Sequence, residues 1–206
     1  MQPVLRLILV LSVAAPFACA HTKDVEPHSK QFYAFDGADG KRALVLREVE
    51  GLIRVEDGRR RLLASLRLTA EAIEVEDIRG ESRGRVPMSD DRTYRVVAAG
   101  ELGAQFELSI EPDGDMSVEG TGGALLYQIK KRKYGYKVVD ASGQVESRIR
   151  SRAGKVSVRD GTGTTFLSTR QPMSPAAVAA LSLSQVPIEY AAALALAIQR
   201  EMAGED

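Results

Sequence analysis

Apolar and polar residues alternate along most of the chain, and this alternation restricts the fold more than any other feature. In one stretch Phe106, Leu108 and Ile110 are separated by polar residues, and 145–149 repeats the pattern. A period of two residues is typical of a strand with one buried and one solvated face. The segment 31–169 therefore predicts a mainly β body.

Turn signals separate these strands at intervals of about ten residues, as in sandwiches and barrels. Most contain glycine after a small or acidic residue: Asp36-Gly37, Asp39-Gly40, Asp57-Gly58, Asp113-Gly114, Ser142-Gly143, Ala153-Gly154 and Asp160-Gly161. Such dipeptides suit hairpins because glycine adopts a positive φ without strain. We therefore expect antiparallel pairing. Residues 77–92 show no alternation and are predicted to form a long loop.

The end of the chain changes to a helical pattern. Ser174 followed by Pro175 fits an N-cap and the first position of a helix, which we place over 175–184. Pro187 opens a second helix, predicted over 187–202.

The second helix contains a stretch, 190–198, that is apolar on every face and must be buried in protein or membrane. A span over 175–198 would carry Glu189 near its middle, at a cost of about 3 kcal/mol. We therefore expect the sheet to enclose the helix. The predicted fold is an antiparallel β-barrel or curled sheet around a hydrophobic C-terminal helix, in one domain over 31–203.

The first residues have the pattern of a secretory signal. Arg6 precedes an apolar run, 7–15, that is shorter than the roughly 20 residues a bilayer requires. Small residues follow, and signal peptidase I could cleave after Ala20. The pattern predicts an exported protein, with residues 19–30 as a polar tether.

The same stretch resembles a bacterial lipoprotein box, with Ala18 before Cys19 and Pro16 where that family usually has leucine. The resemblance implies a signal peptide of residues 1–18 and lipidation of Cys19. Ala20 then implies attachment to the outer membrane. The membrane is the expected partner through this anchor. Cleavage after Ala20 would instead leave a periplasmic or secreted protein.

Catalytic and metal-binding signatures are sparse. Both histidines, His21 and His28, lie in the tether, so neither a His-dependent catalytic site nor a zinc site is expected in the domain. The acidic turns 36–40 and 113–115 lack the ligand series of a calcium loop. We therefore predict no catalytic residue, no metal and no cofactor, and we interpret the protein as non-enzymatic. A carboxylate-dependent hydrolase is the weaker alternative, although no pair of acids stands out.

Residues 126–145 and 147–167 form a repeated strand–turn–strand unit that is followed by the apolar segment 186–198. This arrangement resembles the tubby-like, LURP-one and scramblase group of barrels, in which a closed antiparallel barrel surrounds a hydrophobic C-terminal helix. That group is known for phosphoinositide binding and membrane association. The resemblance implies an anionic lipid as a ligand here.

Charge is balanced over the whole chain but separated along it. The formal net charge is +0, which argues against a nucleic-acid partner. Residues 71–119 carry 13 acidic and 5 basic side chains, whereas 128–159 carry 10 basic and 2 acidic ones. The chain therefore contains an acidic block with net charge −8 and a basic block with net charge +8.

The basic block supplies the candidate site residues, which are Lys130, Lys131, Arg132, Lys133 and Lys137. The buried face changes from odd to even positions across this run, which predicts that the run occupies a turn or bulge. A cationic tip could bind anionic head groups. Alternatively, it could be a solvated hairpin that pairs with the acidic block, and the near-cancellation of the two blocks favours this interpretation.

The sequence thus predicts a non-enzymatic cell-envelope lipoprotein with a binding or structural role at the membrane face. Its specific role is left open, and anionic lipid or head groups are the candidate ligand. A carrier of a small apolar ligand, with a lipid in the barrel lumen, is the alternative.

Overall fold

The computed structural model describes residues 31–89 and 91–203, so the signal, Cys19 and the tether with its two histidines lie outside the described residues. Fourteen β-strands form a closed barrel in which each strand pairs antiparallel with its neighbours in the chain. Pairing of Asp36 with Ser168 and of Gly37 with Leu167 closes the barrel between β1 and β14. The predicted β fold around a C-terminal helix is confirmed.

The first seven strands are β1 (Gln31–Gly37), β2 (Arg42–Val49), β3 (Leu52–Asp57), β4 (Leu62–Leu68), β5 (Ala72–Glu76), β6 (Ser82–Pro87) and β7 (Thr93–Ala98). The second seven are β8 (Ala104–Ile110), β9 (Met116–Gly120), β10 (Leu125–Arg132), β11 (Gly135–Asp140), β12 (Val145–Arg152), β13 (Lys155–Asp160) and β14 (Thr165–Thr169). A 3-10 turn over Thr121–Gly123 joins β9 to β10.

The up-and-down order gives the barrel two rims with different connections. The proximal rim is the end at which β1 begins and β14 ends, and it carries the connections from each even-numbered strand to the next odd one. The distal rim carries the connections from odd to even strands. In several distal turns, an aspartate side chain accepts hydrogen bonds from backbone N–H groups of the same turn. The Thr162 hydroxyl and the N–H groups of Thr162 and Thr164 hold the pKa of Asp160 below its usual value.

Strand β6 lies within the stretch that the sequence predicted to be a loop, so that prediction was wrong. Gly84 and Val86 are buried while Arg83 and Arg85 are exposed, as in any half-buried strand. One of the two inward positions is a glycine, which carries no hydropathy signal. A Cβ at Gly84 would lie 2.4 Å from the carbonyl oxygen of Val97, because the backbones of β6 and β7 approach closely there.

Two helices, α1 (Pro175–Ala180) and α2 (Ile188–Ala203), form an antiparallel pair inside the barrel. The first contacts β11 to β13, and the second contacts β4 to β7. The Ser174 hydroxyl accepts a hydrogen bond from Ala177 N at 3.1 Å and caps α1, as its sequence indicates. Helix α1 ends four residues before the end of its predicted range. Ser182 turns back there and donates from its backbone N and its hydroxyl to the carbonyl oxygen of Ala179.

Side chains of the inner wall and both helices belong to one hydrophobic core. Every residue from Tyr190 to Ile198 is buried, which explains why this stretch has no polar face. Polar contacts fix both ends of α2. Tyr190 Oη donates to the carbonyl oxygen of Arg83 at 2.7 Å, and Arg200 Nη1 donates to that of Thr69 at 2.9 Å. Across 31–89 and 91–203, neither helix reaches the length and hydropathy of a membrane-spanning segment.

Candidate functional site

The basic run begins inside a strand rather than in a turn. Lys130, Lys131 and Arg132 are the last residues of β10, and Lys133 is in the two-residue turn before β11. Tyr134 completes that turn. The prediction that the whole run occupies a turn or bulge was therefore wrong.

The hairpin itself explains why the buried face changes parity. A two-residue turn pairs Arg132 with Gly135 and Ile129 with Val138, so odd positions of β10 oppose even positions of β11. Residues directly opposite each other project to the same face of a sheet. A change of parity therefore follows from any hairpin of this length, without a bulge within the run.

The register places four cations side by side across the outer wall. Lys130 pairs with Lys137, Lys137 pairs with Arg148, and Arg148 pairs with Arg159, across strands β10 to β13. Directly opposite residues have Cβ atoms about 5 Å apart, and like charges at that separation destabilise a sheet. We call these four residues the cationic ladder.

Further cations extend the ladder towards the proximal rim. Arg152 pairs with Lys155, and Gly135 lies between Arg132 and Arg150 in the row below. We define the basic wall as the eight outward cations of β10 to β13: Lys130, Arg132, Lys137, Arg148, Arg150, Arg152, Lys155 and Arg159. Arg150 lies over the Tyr134 ring at 5.2 Å from its centroid, a cation–π contact that helps to fix the guanidinium.

Some outward rows elsewhere on the barrel alternate in sign, although Arg47 pairs with Arg54 and Glu107 pairs with Glu119. Arg67 pairs with Glu74, which pairs in turn with Arg85. Arg95 pairs with Glu107 across β7 and β8, and their side chains form an ion pair at 3.0 Å. Alternating charge is the arrangement that stabilises a sheet. The basic wall departs from it.

No residue of the basic wall takes part in an ion pair within 31–89 and 91–203. The acids of the same stretch are engaged at the distal rim. Asp140 accepts N–H groups of its own turn, and Glu146 accepts a hydrogen bond from Ser184 N at 3.1 Å. No ion pair joins the basic wall to the acidic block among these residues, and the wall presents positive charge that no ion pair compensates. The two blocks do meet at Lys131, whose backbone N donates to Asp115 Oδ1 at 2.6 Å.

Lys131 is separate from the other candidate residues. Its backbone pairs with Tyr136, whose ring is buried on the inner face. A Cβ built on Gly114 would lie 2.9 Å from Lys131 Nζ, so this side chain lies over the connection between β8 and β9. Lys131 also lines a cavity of about 100 Å³ at the proximal rim. Of the five predicted residues, Lys130, Arg132 and Lys137 belong to the wall, Lys133 is at its edge, and Lys131 is excluded.

Sequence reasoning missed the contribution of β12 and β13 to the site. Arg148, Arg150 and Arg152 occupy every second position of β12, opposite to the inward Ser147 and Ile149. This spacing was visible in the sequence, where the same residues alternate with the apolar face. What the sequence did not contain was the register that places β12 beside the basic run.

The interior of the barrel contains the two helices rather than a polar site. Phe35, Tyr127 and Ile149 of the inner wall are fully buried in the core that contains α1 and α2. The Tyr127 hydroxyl accepts a hydrogen bond from Gln185 N at 3.0 Å and so reaches the connection between the two helices. Among the described residues, no group of three or more His, Cys, Asp or Glu side chains is arranged to hold a metal ion.

The sequence matches no family model and no curated protein. Among solved structures, an X-ray structure of a protein from Arabidopsis thaliana shows a likeness over 85% of this chain and 94% of that chain. The identity is 10% and the TM-score 0.44. The resemblances to a lipoprotein signal and to the tubby-like group stay predictions.

Proposed function

We propose that this protein is a non-enzymatic protein of the cell envelope that binds anionic lipid head groups through its basic wall. The observation that carries the proposal is the cationic ladder, in which Lys130, Lys137, Arg148 and Arg159 lie side by side and make no ion pair with another described residue. Repulsion within the ladder costs stability. An anionic surface would remove that cost and gain about 1 kcal/mol for each cation close to it.

The direction of the chain supports binding at a membrane face. Residue 31 enters β1 at the proximal rim, and the basic wall extends to that rim through Arg152 and Lys155. Twelve tether residues, 19–30, span at most about 40 Å when extended. A lipidated Cys19 would therefore keep the proximal rim, with its cations, near the membrane surface.

Neutralising three ladder cations should abolish most of the binding to anionic vesicles. In a Cys19→Ser background, which removes the anchor, we expect Lys130→Gln, Lys137→Gln and Arg148→Gln together to weaken binding by about two orders of magnitude, from the loss of roughly 3 kcal/mol. Binding of the unaltered wall should also fall steeply as salt rises. Co-sedimentation with phosphatidylglycerol vesicles at several salt concentrations measures both effects.

A matched control removes the same charge from another part of the barrel. Arg54, Arg59 and Arg85 are exposed and make no ion pair within the described part of the chain. Changing these three to glutamine should reduce vesicle binding only slightly. Equal loss in the two triple variants, or salt-independent binding of the unaltered protein, would contradict the proposal. The ladder variant should unfold at the same or a higher temperature than its parent because it loses repulsion.

Lipidation at Cys19 is the second part of the proposal. In a bacterial host, we expect Cys19→Ser to move the full-length protein from the membrane fraction to the salt-extractable fraction, since only the basic wall would hold it. Fractionation after a high-salt wash measures this change. Intact mass then separates the two cleavage positions, because a mature chain starting at Cys19 carries acyl groups and one starting at His21 does not. A variant that stays in the washed membrane fraction would exclude the anchor.

A further inference from the structure

A cleft of about 280 Å³ opens on the outer surface of β12, β13 and β14, towards the proximal rim. Its walls hold five cations: Arg150, Arg152, Lys155, Arg159 and Arg170. Arg159 is the last residue of the basic block 128–159, and Arg170 lies beyond it. No carboxylate of the described residues lines the cleft. Two acids of the neighbouring part of the barrel, on β1 and β13, are engaged elsewhere. Asp36, whose backbone pairs with that of Ser168, forms an ion pair with Arg42 at 3.4 Å, and Asp160 accepts hydrogen bonds within its own turn.

One buried hydrogen-bond donor in the cleft has no acceptor among the described residues. Arg159 Nε is buried and makes no hydrogen bond to another described residue. An unsatisfied buried donor next to a charged group is costly, and native structures rarely retain one without a partner. Ser157 and Thr165 also line the cleft, and the Ser157 hydroxyl donates to the carbonyl oxygen of Arg150 at 3.4 Å. These groups surround one volume with N–H and O–H donors.

The charge and size of the cleft restrict its ligand. Guanidinium groups present paired donors that match the oxygens of phosphate and carboxylate. Five cations around one volume favour the ligand with more charge, and a phosphate monoester carries between −1.5 and −2 at neutral pH on about three oxygens. The volume is near the lower end for small-molecule sites, about 300 Å³. It accommodates a phosphate and the atoms next to it rather than a large ligand.

We infer that this cleft is a binding site for a phosphate group, as inorganic phosphate or as a phosphomonoester at the end of a larger molecule. The inference deepens the proposed function, because it adds recognition of a particular group to the general attraction of the wall. The cleft shares Arg159 with the ladder but also contains cations that the ladder does not include. Lys155 and Arg170 line the cleft but lie outside the ladder, whereas Lys130 and Lys137 belong to the ladder but do not line the cleft.

Two measurements on the Cys19→Ser protein test the inference. Isothermal titration calorimetry with inorganic phosphate in a chloride buffer should show one site. Lys155→Gln with Arg170→Gln should weaken it about tenfold or more, since charge-assisted hydrogen bonds are lost. Lys130→Gln with Lys137→Gln should leave it unchanged. Co-sedimentation then compares phosphatidic acid, a phosphomonoester, with phosphatidylglycerol, a phosphodiester, at equal vesicle surface charge.

The two vesicle outcomes identify the source of the phosphate. A preference for phosphatidic acid that disappears in the Lys155/Arg170 variant indicates a lipid head group, and phosphate binding without that preference indicates a soluble ligand. The inference is overturned if inorganic phosphate does not bind and phosphatidic acid is not preferred, or if the variant binds phosphate as tightly as its parent. Vesicle binding that persists in either case would leave the proposed function intact. Phosphate binding without any vesicle binding would contradict the proposed function but support the cleft as a phosphate site.

Discussion

Ala195→Asp in the centre of α2 is expected to prevent folding. Ala195 has no exposed surface, and its neighbours along the helix, Leu194 and Leu196, are buried as well. A carboxylate there would have neither water nor a partner, at a cost of several kcal/mol. Native domains are stable by about 5–15 kcal/mol, so most of that stability would be lost. Urea unfolding followed by circular dichroism should show no cooperative transition, or the protein should accumulate in insoluble form.

The same substitution at the end of the same helix provides the control. Ala203 is exposed, and Ala203→Asp should change the free energy of unfolding by no more than about 0.5 kcal/mol. Because both variants place an aspartate on α2, a difference between them isolates burial from helix propensity. If Ala195→Asp unfolds with the midpoint of the unaltered protein, α2 is not enclosed by the barrel.

Gly84→Ala is expected to open the barrel between β6 and β7. The added Cβ would lie 2.4 Å from the carbonyl oxygen of Val97 and 3.0 Å from the Cα of Ala98. The two strands pair there through Gly84 with Ala98 and Arg85 with Val97. A steric clash at Gly84 therefore disrupts the pairing of these residues. Overpacking and backbone strain at φ +153 together should cost roughly 2–5 kcal/mol, measured by urea denaturation.

Gly103→Ala tests whether that loss is specific to close backbone approach. Gly103 has open space around its Cα and no positive φ, so alanine should leave stability within about 0.5 kcal/mol or raise it slightly. Equal stability of the Gly84 and Gly103 variants would show that β6 does not pack against β7 as described. Such a result would restore the loop that the sequence predicted over 77–92.

Local pattern determined the parts of the fold that were predictable. The alternation around Phe106 and Leu108 indicates a strand whatever its neighbours are, and the apolar faces of 190–198 require burial whatever encloses them. Closure depends on Asp36 meeting Ser168, more than a hundred residues later in the chain. No local pattern specifies such a contact, so the sequence left a barrel and a curled sheet equally open.

The candidate site was predictable only in part for the same reason. Lys130 and Lys137 stand close together in the sequence and attracted attention as a run. Arg148 and Arg159 reach the same surface through strand register, which a charge count along the chain does not contain. Lys131, in contrast, was wrongly included in the candidate site. Neighbouring residues of a strand point to opposite faces of the sheet, so its side chain does not share the face of Lys130.

The position of α1 and α2 after β14 has a consequence for how the chain folds as it is made. Each of the first thirteen hairpin pairings joins neighbours in the chain and can form as soon as both strands exist. The core of the inner wall, however, is completed by the helical segment, which is synthesised after all fourteen strands. Until that segment arrives, the strands carry an apolar surface with nothing to cover it. A chain built in this order keeps its strands incompletely packed until α1 and α2 have followed β14, a state compatible with the export that we propose.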